Sequence, residues 1–302
     1  MGAALGQGSF GEVVSITATQ STTGIPFTAA AKFFSDYSDK GLGEIRHEFN
    51  ILKSLKDKPG IIQLVNIDLV VHDTLVGYAM EKGDGTLSTE LSGAPFSVND
   101  TIKLAKDLVA GGNSLESMGL VHRDCKPGNV VRVSDESGNF SWKKVDFGLT
   151  TQEGAPFKEC GTLLYRSPES HGGRDTTTYK TSIKQDVFAD GLILAQVLLK
   201  NLPSTPGTPK TIIHTQNELP TTPDSSMLMD ARCSPHVLPI RVFSEYGPRF
   251  YTPAVTRLNA VKAAIPELSA LVDLSIKMID PDPVQRPLFS DCQRILTTAY
   301  PS

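Results

Sequence analysis

The densest chemistry in the chain lies in two strings, His122-Arg123-Asp124-Cys125-Lys126-Pro127-Gly128-Asn129 and, downstream, Asp146-Phe147-Gly148. Asp124 and Asn129 stand five residues apart, and Asp146 adds a second carboxylate. Such a trio can place one proton acceptor and two hard oxygen ligands for a divalent cation around a single polyphosphate. Both strings follow a glycine-rich segment, Leu5-Gly6-Gln7-Gly8-Ser9-Phe10-Gly11-Glu12-Val13-Val14, of the form Gly-x-Gly-x-x-Gly-x-Val. Glycines let a turn between two strands come close to phosphate oxygens with its backbone N–H groups facing them. Alone this string decides little, because dinucleotide-binding folds use a similar one and Gly-rich turns are common. The dinucleotide version needs a helix directly after the glycines and an acidic residue about 20 residues further on. Here a β-prone run follows, and the next feature is Lys32 at the end of Ala29-Ala30-Ala31. An ammonium at the end of an apolar strand needs solvent, a carboxylate or a ligand anion. Glu48 can reach back to it from the segment that follows; Glu44, one turn earlier, is the rival.

The elements that must hold these groups are legible as periodicities. Val13 to Thr17 and Thr28 to Phe34 read as strands joined by a loose turn around Ser21 to Gly24. Ile45, Phe49, Leu52 and Leu55 recur at three- and four-residue spacing, which predicts a helix from Gly43 to the Lys58-Pro59-Gly60 turn. Ile61 to Val71 and Leu75 to Met80 read as two more strands, and Gly83-Asp84-Gly85 as a joint. Beyond it, helices are expected over about 98–118, 183–199, 267–279 and 289–299. The stretch from Leu202 to Pro253, dense in Pro, Thr and Ser, is expected to be irregular or a flexible insert. The class is therefore α+β, with a β-rich unit holding one helix ahead of a larger helical one.

Composition narrows the choice by exclusion. The 302 residues carry 39% apolar and 21% charged side chains, ordinary values for a globular chain, so collagen-like, disordered and coiled-coil readings fall away. With 29 Lys+Arg against 33 Asp+Glu the formal charge is −4, and no global positive field points to nucleic acid. The longest mostly apolar run, Gly191 to Leu199, is far shorter than the roughly 20 residues that cross a bilayer, so no membrane span is expected. The first six residues lack the basic start and apolar core of a signal peptide. Cys125, Cys160, Cys233 and Cys292 are widely spaced and suggest neither a zinc site nor a disulfide framework, so a reducing, cytoplasmic location is expected, with the nucleus as an alternative.

Taken in order, the glycine-rich string, Lys32, the His122–Asn129 string and Asp146-Phe147-Gly148 resemble the eukaryotic protein kinase family. Further strings extend the resemblance: Gly161-Thr162 and Ser167-Pro168-Glu169, then Asp186 to Gly191, then Asp282 to Pro287. The resemblance implies a bilobal fold, with a small β-rich N-lobe over residues 1–82 and a larger, mainly helical C-lobe over 83–302. It implies ATP and Mg²⁺ as cofactors and protein Ser/Thr hydroxyls as acceptors. Lys32 would bind the α- and β-phosphates, and Glu48, the family's position, would hold Lys32. Asp124 would accept the acceptor proton, Lys126 would neutralise the transferring group, and Asn129 and Asp146 would hold the metal. Leu5, Gly6, Gly8 and Gly11 would cover the nucleotide, Val13, Ala30 and Val131 would sandwich its base, and Met80 and Glu81 would form the hinge. Glu169 and Arg286 would make a buried, structural ion pair.

Departures from the family pattern are also visible. Only four residues precede Leu5, so an abbreviated first strand is expected; Phe188 replaces the usual Trp, and Asp190 a usual small residue. The short first strand and the irregular stretch keep open a nucleotide-binding pseudokinase or scaffold, and the shared bilobal fold, further off, a small-molecule or lipid kinase. Arg123 would ordinarily receive a phosphorylated loop residue; here Glu159 is expected to supply a fixed charge to it, with Lys158 as a competitor. Gly128 and Thr86 stand where relatives that demand upstream Arg carry carboxylates, so only weak basic preference is expected, and Arg166 suggests Pro after the acceptor.

Overall fold

The structure is a computed structural model that describes all residues except 1–2, 9–10, 20–23, 35–37, 66–68, 73–74, 136, 171–178, 203–240 and 302. An antiparallel sheet opens the chain: β1 (Ala4–Gly8), β2 (Gly11–Thr19), β3 (Pro26–Phe34), β4 (Val70–His72) and β5 (Leu75–Glu81), in the order β1-β2-β3-β5-β4. The first strand is short, yet it pairs with β2 through Gly8 opposite Gly11. Alternation on β2 and near-continuous burial on β3 explain why β3 lies centrally, its Ala29 to Phe34 all buried. Gly11 is required there, since a Cβ would lie 2.3 Å from the Phe33 carbonyl oxygen.

Between β3 and β4 runs α1 (Asp39–Ser54), which starts four residues before the expected Gly43 because Ser38 caps it, accepting from Gly41 N. Its Ile45, Phe49 and Leu52 face the core as the spacing predicted. The expectation of one strand over Ile61 to Val71 is corrected. Ile61 and Leu64 make only isolated bridges, to Lys144 and Met80, and the strand proper is Val70–His72. The segment is diverted because it ties two elements at once: Ile62 N donates to Lys144 O, and Val65 N to Ala79 O.

The second part begins with β6 (Gly85–Thr86) and α2 (Leu87–Ser92), then α3 (Val98–Ser117), β7 (Leu120–Val121), β8 (Val130–Ser134), β9 (Phe140–Lys144) and β10 (Thr151–Gln152). It continues with α4 (Ile183–Lys200), α5 (Arg241–Ala264), α6 (Ser269–Met278) and α7 (Phe289–Ala299). Fifteen of the eighteen residues of α4 are buried, which makes it the central helix of this part. A capping box between Ser182 and Gln185 starts it. The irregular reading of 202–253 is corrected at its end, where α5 begins at Arg241; residues 203–240 lie outside the described residues. Ala254, Leu258 and Val261, at helical spacing, carry α5 into the core. Among the described residues no helix is long and apolar enough to cross a membrane.

Glu169 and Arg286 meet as expected, at 2.7 and 2.8 Å, with both side chains buried. The guanidinium also donates to Asp280 O, Lys184 O and Pro281 O and lies over the Phe188 ring, 4.8 Å from its centroid. The Phe in place of Trp therefore still supplies an aromatic face.

Candidate active site

A cavity of about 340 Å³ opens between the five-stranded sheet and the helical part. Leu5, Gly6, Val13 and Ala30 line it from the sheet, Met80 and Glu81 from the end of β5, and Val131, Asn129 and Asp146 from the other side. Lys32 and Glu48 reach it as well. Gly8 and Gly11 do not line it; they sit where β1 turns into β2, and the tip between them, Ser9-Phe10, is outside the described residues.

Lys32 Nζ is 2.8 Å from both Glu48 oxygens and 2.8 Å from Asp146 Oδ1. Glu44 is instead 3.8 Å from Lys40, so the choice of Glu48 holds. Burial pulls the Lys32 ammonium down, but the two carboxylates outweigh it and hold its pKa above the ordinary lysine value. Burial likewise pushes Asp146 up, and Lys32 overrides it, leaving that carboxyl below its usual range. For Glu48 burial wins and raises it. The Tyr78 phenol, buried and hydrogen-bonded to Glu48, completes this end of the site; a tyrosine in an apolar strand gave no sequence signal for that role.

Asp124 is held on both oxygens. Oδ1 accepts from Thr162 N and Thr162 Oγ1 at 2.7 Å, while Oδ2 accepts from Lys126 Nζ at 2.7 Å and Asn129 Nδ2 at 3.0 Å. Lys126 also donates to Thr162 Oγ1. Thr162 is thus a partner that sequence reasoning placed in the right string without a role. Gly161 before it has φ 80°, and a Cβ there would stand 2.1 Å from Arg123 O, so the loop reaches Asp124 only with glycine at this position.

The expectation for Glu159 is corrected. Its carboxylate pairs with Arg166 Nη1 at 2.6 Å, and Arg166 also donates to Gly161 O. Arg123 instead donates to the Leu149 and Lys158 carbonyls. Backbone oxygens thus bond the guanidinium that was expected to take Glu159, and Lys158 contributes its carbonyl. Asp190, the other departure, is fully buried and takes Lys144 Nζ on both oxygens at 2.7 Å.

Behind the cavity the Glu81 carboxylate accepts from Lys143 Nζ at 2.7 and 2.8 Å and from Gln63 N at 2.9 Å. Asp84, at the joint, accepts from Ser134 Oγ at 2.6 Å.

Comparison with known proteins agrees with this geometry. The mouse serine/threonine-protein kinase DCLK2 is 32% identical over 160 residues, 53% of this chain and 20% of that protein. The probable serine/threonine-protein kinase fhkB of Dictyostelium discoideum is 32% identical over 135 residues, 44% of this chain and 12% of its own length. Calcium-dependent protein kinase 34 of Arabidopsis thaliana is 27% identical over 209 residues, 67% of this chain and 38% of its own length. The chain therefore spans well under half the length of each of these relatives. The family model described as the protein kinase domain matches residues 1–300, and the chain belongs to that family.

Proposed function

We propose that this chain is a catalytically active protein kinase domain that transfers the γ-phosphoryl group of ATP to Ser or Thr hydroxyls of proteins. The observation that carries the reading is the convergence of Lys32, Glu48 and Asp146 within one hydrogen-bonded cluster in the same cavity as Asn129, with Asp124 bonded to Asn129. In this reading an acceptor hydroxyl takes the place of Thr162 Oγ1 or Lys126 on Asp124, which receives its proton. The acceptor oxygen bonds to the γ-phosphorus as the bond to the bridging oxygen breaks and ADP leaves. Lys126, 2.7 Å from Asp124, stands ready to meet charge on the transferring group, and Lys32 can exchange Asp146 for phosphate oxygens.

The donor set fits Mg²⁺. Asn129 donates both its bonds through Nδ2, which leaves its amide oxygen for a cation, and Asp146 spends Oδ1 on Lys32, which leaves Oδ2. One carboxylate and one amide oxygen match a metal that keeps water and substrate phosphates as its other ligands. Bound there, the ion would screen phosphate charge. Residues 1–82 would form the smaller lobe and 83–302 the larger. The unpaired thiols Cys125, Cys160 and Cys292 support a reducing, cytoplasmic setting.

Incubation of the purified chain with labelled ATP, Mg²⁺ and a degenerate Ser/Thr peptide library tests the reading, with Asp124→Asn as control. Incorporation that the control abolishes is the expected result. Nucleotide binding without transfer would turn the protein into a binding module, and labelling of sugars or lipids in place of peptides would change its substrate class.

A further inference from the structure

Three non-glycine residues with left-handed backbone occur among the described residues: Asp57, Arg123 (φ 71°) and Asp146 (φ 68°). Asp57 is in an exposed turn, whereas the other two flank the site. A side-chain-bearing residue keeps this conformation only where its surroundings over-determine it. At Arg123 the cause is plain: Asp186 accepts from Arg123 N at 2.9 Å and from His122 N at 2.5 Å. At Asp146 the anchoring begins with Val145, which donates to Asn129 O and accepts from His122 Nε2, each at 3.0 Å. One residue earlier, Lys144 is tied through its backbone to Gly60 O and Ile62 N, and through its side chain to Asp190.

We propose that Lys144 and Asp190 are positioning residues that hold the left-handed backbone at Asp146, as Asp186 holds it at Arg123. The proposal rests on the kinase reading above. Asp186 and Asp190 lie one turn apart on α4 and so share a face. Each therefore serves one of the two strained loops, and Cys125, directly after Asp124, bridges them with Sγ 3.5 Å from Lys144 Nζ. The Lys144 and Asp190 side chains are 2% and 0% exposed. A pair so buried is a poor device for stability, because apolar residues of similar volume serve as well or better. What apolar packing lacks is direction, and a bidentate ammonium–carboxylate contact supplies it.

The test replaces both partners, Lys144→Met with Asp190→Leu, and compares the full chain with its parent by amide hydrogen exchange and by ATP titration with and without Mg²⁺. The expected result is a folded protein whose amides at Val145 to Gly148 exchange at least tenfold faster. Exchange at Arg123 should be unchanged, and the gain in ATP affinity on adding Mg²⁺ should fall at least tenfold. Parental exchange and a parental Mg²⁺ gain would overturn the proposal and reduce the pair to packing. Should that variant not fold, Asp190→Asn keeps the shape and removes the charge. It should accelerate exchange at the same four amides, and unchanged exchange would again overturn the idea. Neither readout needs phosphoryl transfer, so a parent that binds Mg²⁺-ATP without transferring phosphate sinks the kinase reading and leaves this test standing.

Discussion

Lys32 and Arg286 are both buried against a glutamate, 4% and 1% exposed, and they illustrate two uses of the same contact. Arg286 is closed. Nε, Nη1 and Nη2 together make five hydrogen bonds, to Glu169 and three carbonyls, and an aromatic ring covers the planar face. Lys32 makes three hydrogen bonds, but one is to Asp146, whose side chain is 32% exposed at the cavity. An ammonium on a flexible stem can trade that partner for another anion, whereas a planar fork with every donor engaged cannot. The difference separates a group with one exchangeable partner at the cavity, as the kinase reading requires, from one that fixes a chain crossing.

The widest separation should come from breaking each contact in turn. Lys32→Met is expected to lower phosphoryl transfer by about 10³-fold at a smaller stability cost, since Glu48 keeps its Tyr78 hydrogen bond and burial already raises its carboxyl toward the neutral form. Arg286→Ala should do the reverse, costing about 3–5 kcal/mol because it strands Glu169 together with the Asp280, Lys184 and Pro281 carbonyls in the interior. Turnover of the fraction still folded at low temperature should stay near parental. Paired urea unfolding and initial-rate assays check this, and loss of both properties in both variants would erase the distinction.

A backbone lesion beside Asp124 sharpens the contrast. Gly161→Ala places a methyl group against Arg123 O at a left-handed φ, a clash that should move the Thr162 bonds off Asp124. A stability cost of about 2 kcal/mol is expected, with a larger fall in kcat than in peptide affinity. Steady-state kinetics with the peptide varied would reveal it.

Protonation gives a smaller, signed effect. Burial, with the Lys144 ammonium second, depresses His122 to about 4. The unfolded chain therefore binds the proton first, and the stability His122 contributes above pH 6.5 is lost as pH falls toward 4. Asp186, raised by burial to about 6, works in the opposite sense, gaining stability as pH falls from 6 toward 4. His122→Phe removes the first contribution and leaves the second. Relative to the parent, the variant should become more stable by about 2 kcal/mol between pH 7 and pH 5, measurable by urea unfolding at the two values.

The smallest effect is expected at Glu159. Its contact with Arg166 is half exposed, so Glu159→Gln should change stability by less than about 0.5 kcal/mol and activity by less than about twofold. Phosphatase treatment should leave activity intact, since Arg123 is bonded by carbonyl oxygens. Inactivation by phosphatase would show that the segment needs a phosphate after all.

The contrast also marks what was legible beforehand. Lys32 with Glu48, and Glu169 with Arg286, could be named because each stands in a string whose resemblance assigns its partner. Lys144 with Asp190 could not, for the two lie 46 residues apart and neither periodicity nor spacing links a strand lysine to a helix aspartate. The expectation that Glu159 meets Arg123 follows the resemblance, which docks a loop charge on that distant arginine, whereas Arg166, seven residues from Glu159, takes it instead. Helix α5 was hidden by proline density, although Ala254, Leu258 and Val261 have the spacing of a buried face. Such spacing reports burial; it does not report which distant charge answers which.

The Glu81 side chain carries a last consequence. Its carboxylate is committed to Lys143 and Gln63, and its own N–H to Gln63 O. On the kinase reading, the Glu81 side chain is thereby withdrawn from a purine, and recognition at this position rests on where the backbone of the bend lies. Exchanging the side chain would therefore loosen the bend and weaken every nucleotide alike, leaving base preference unchanged.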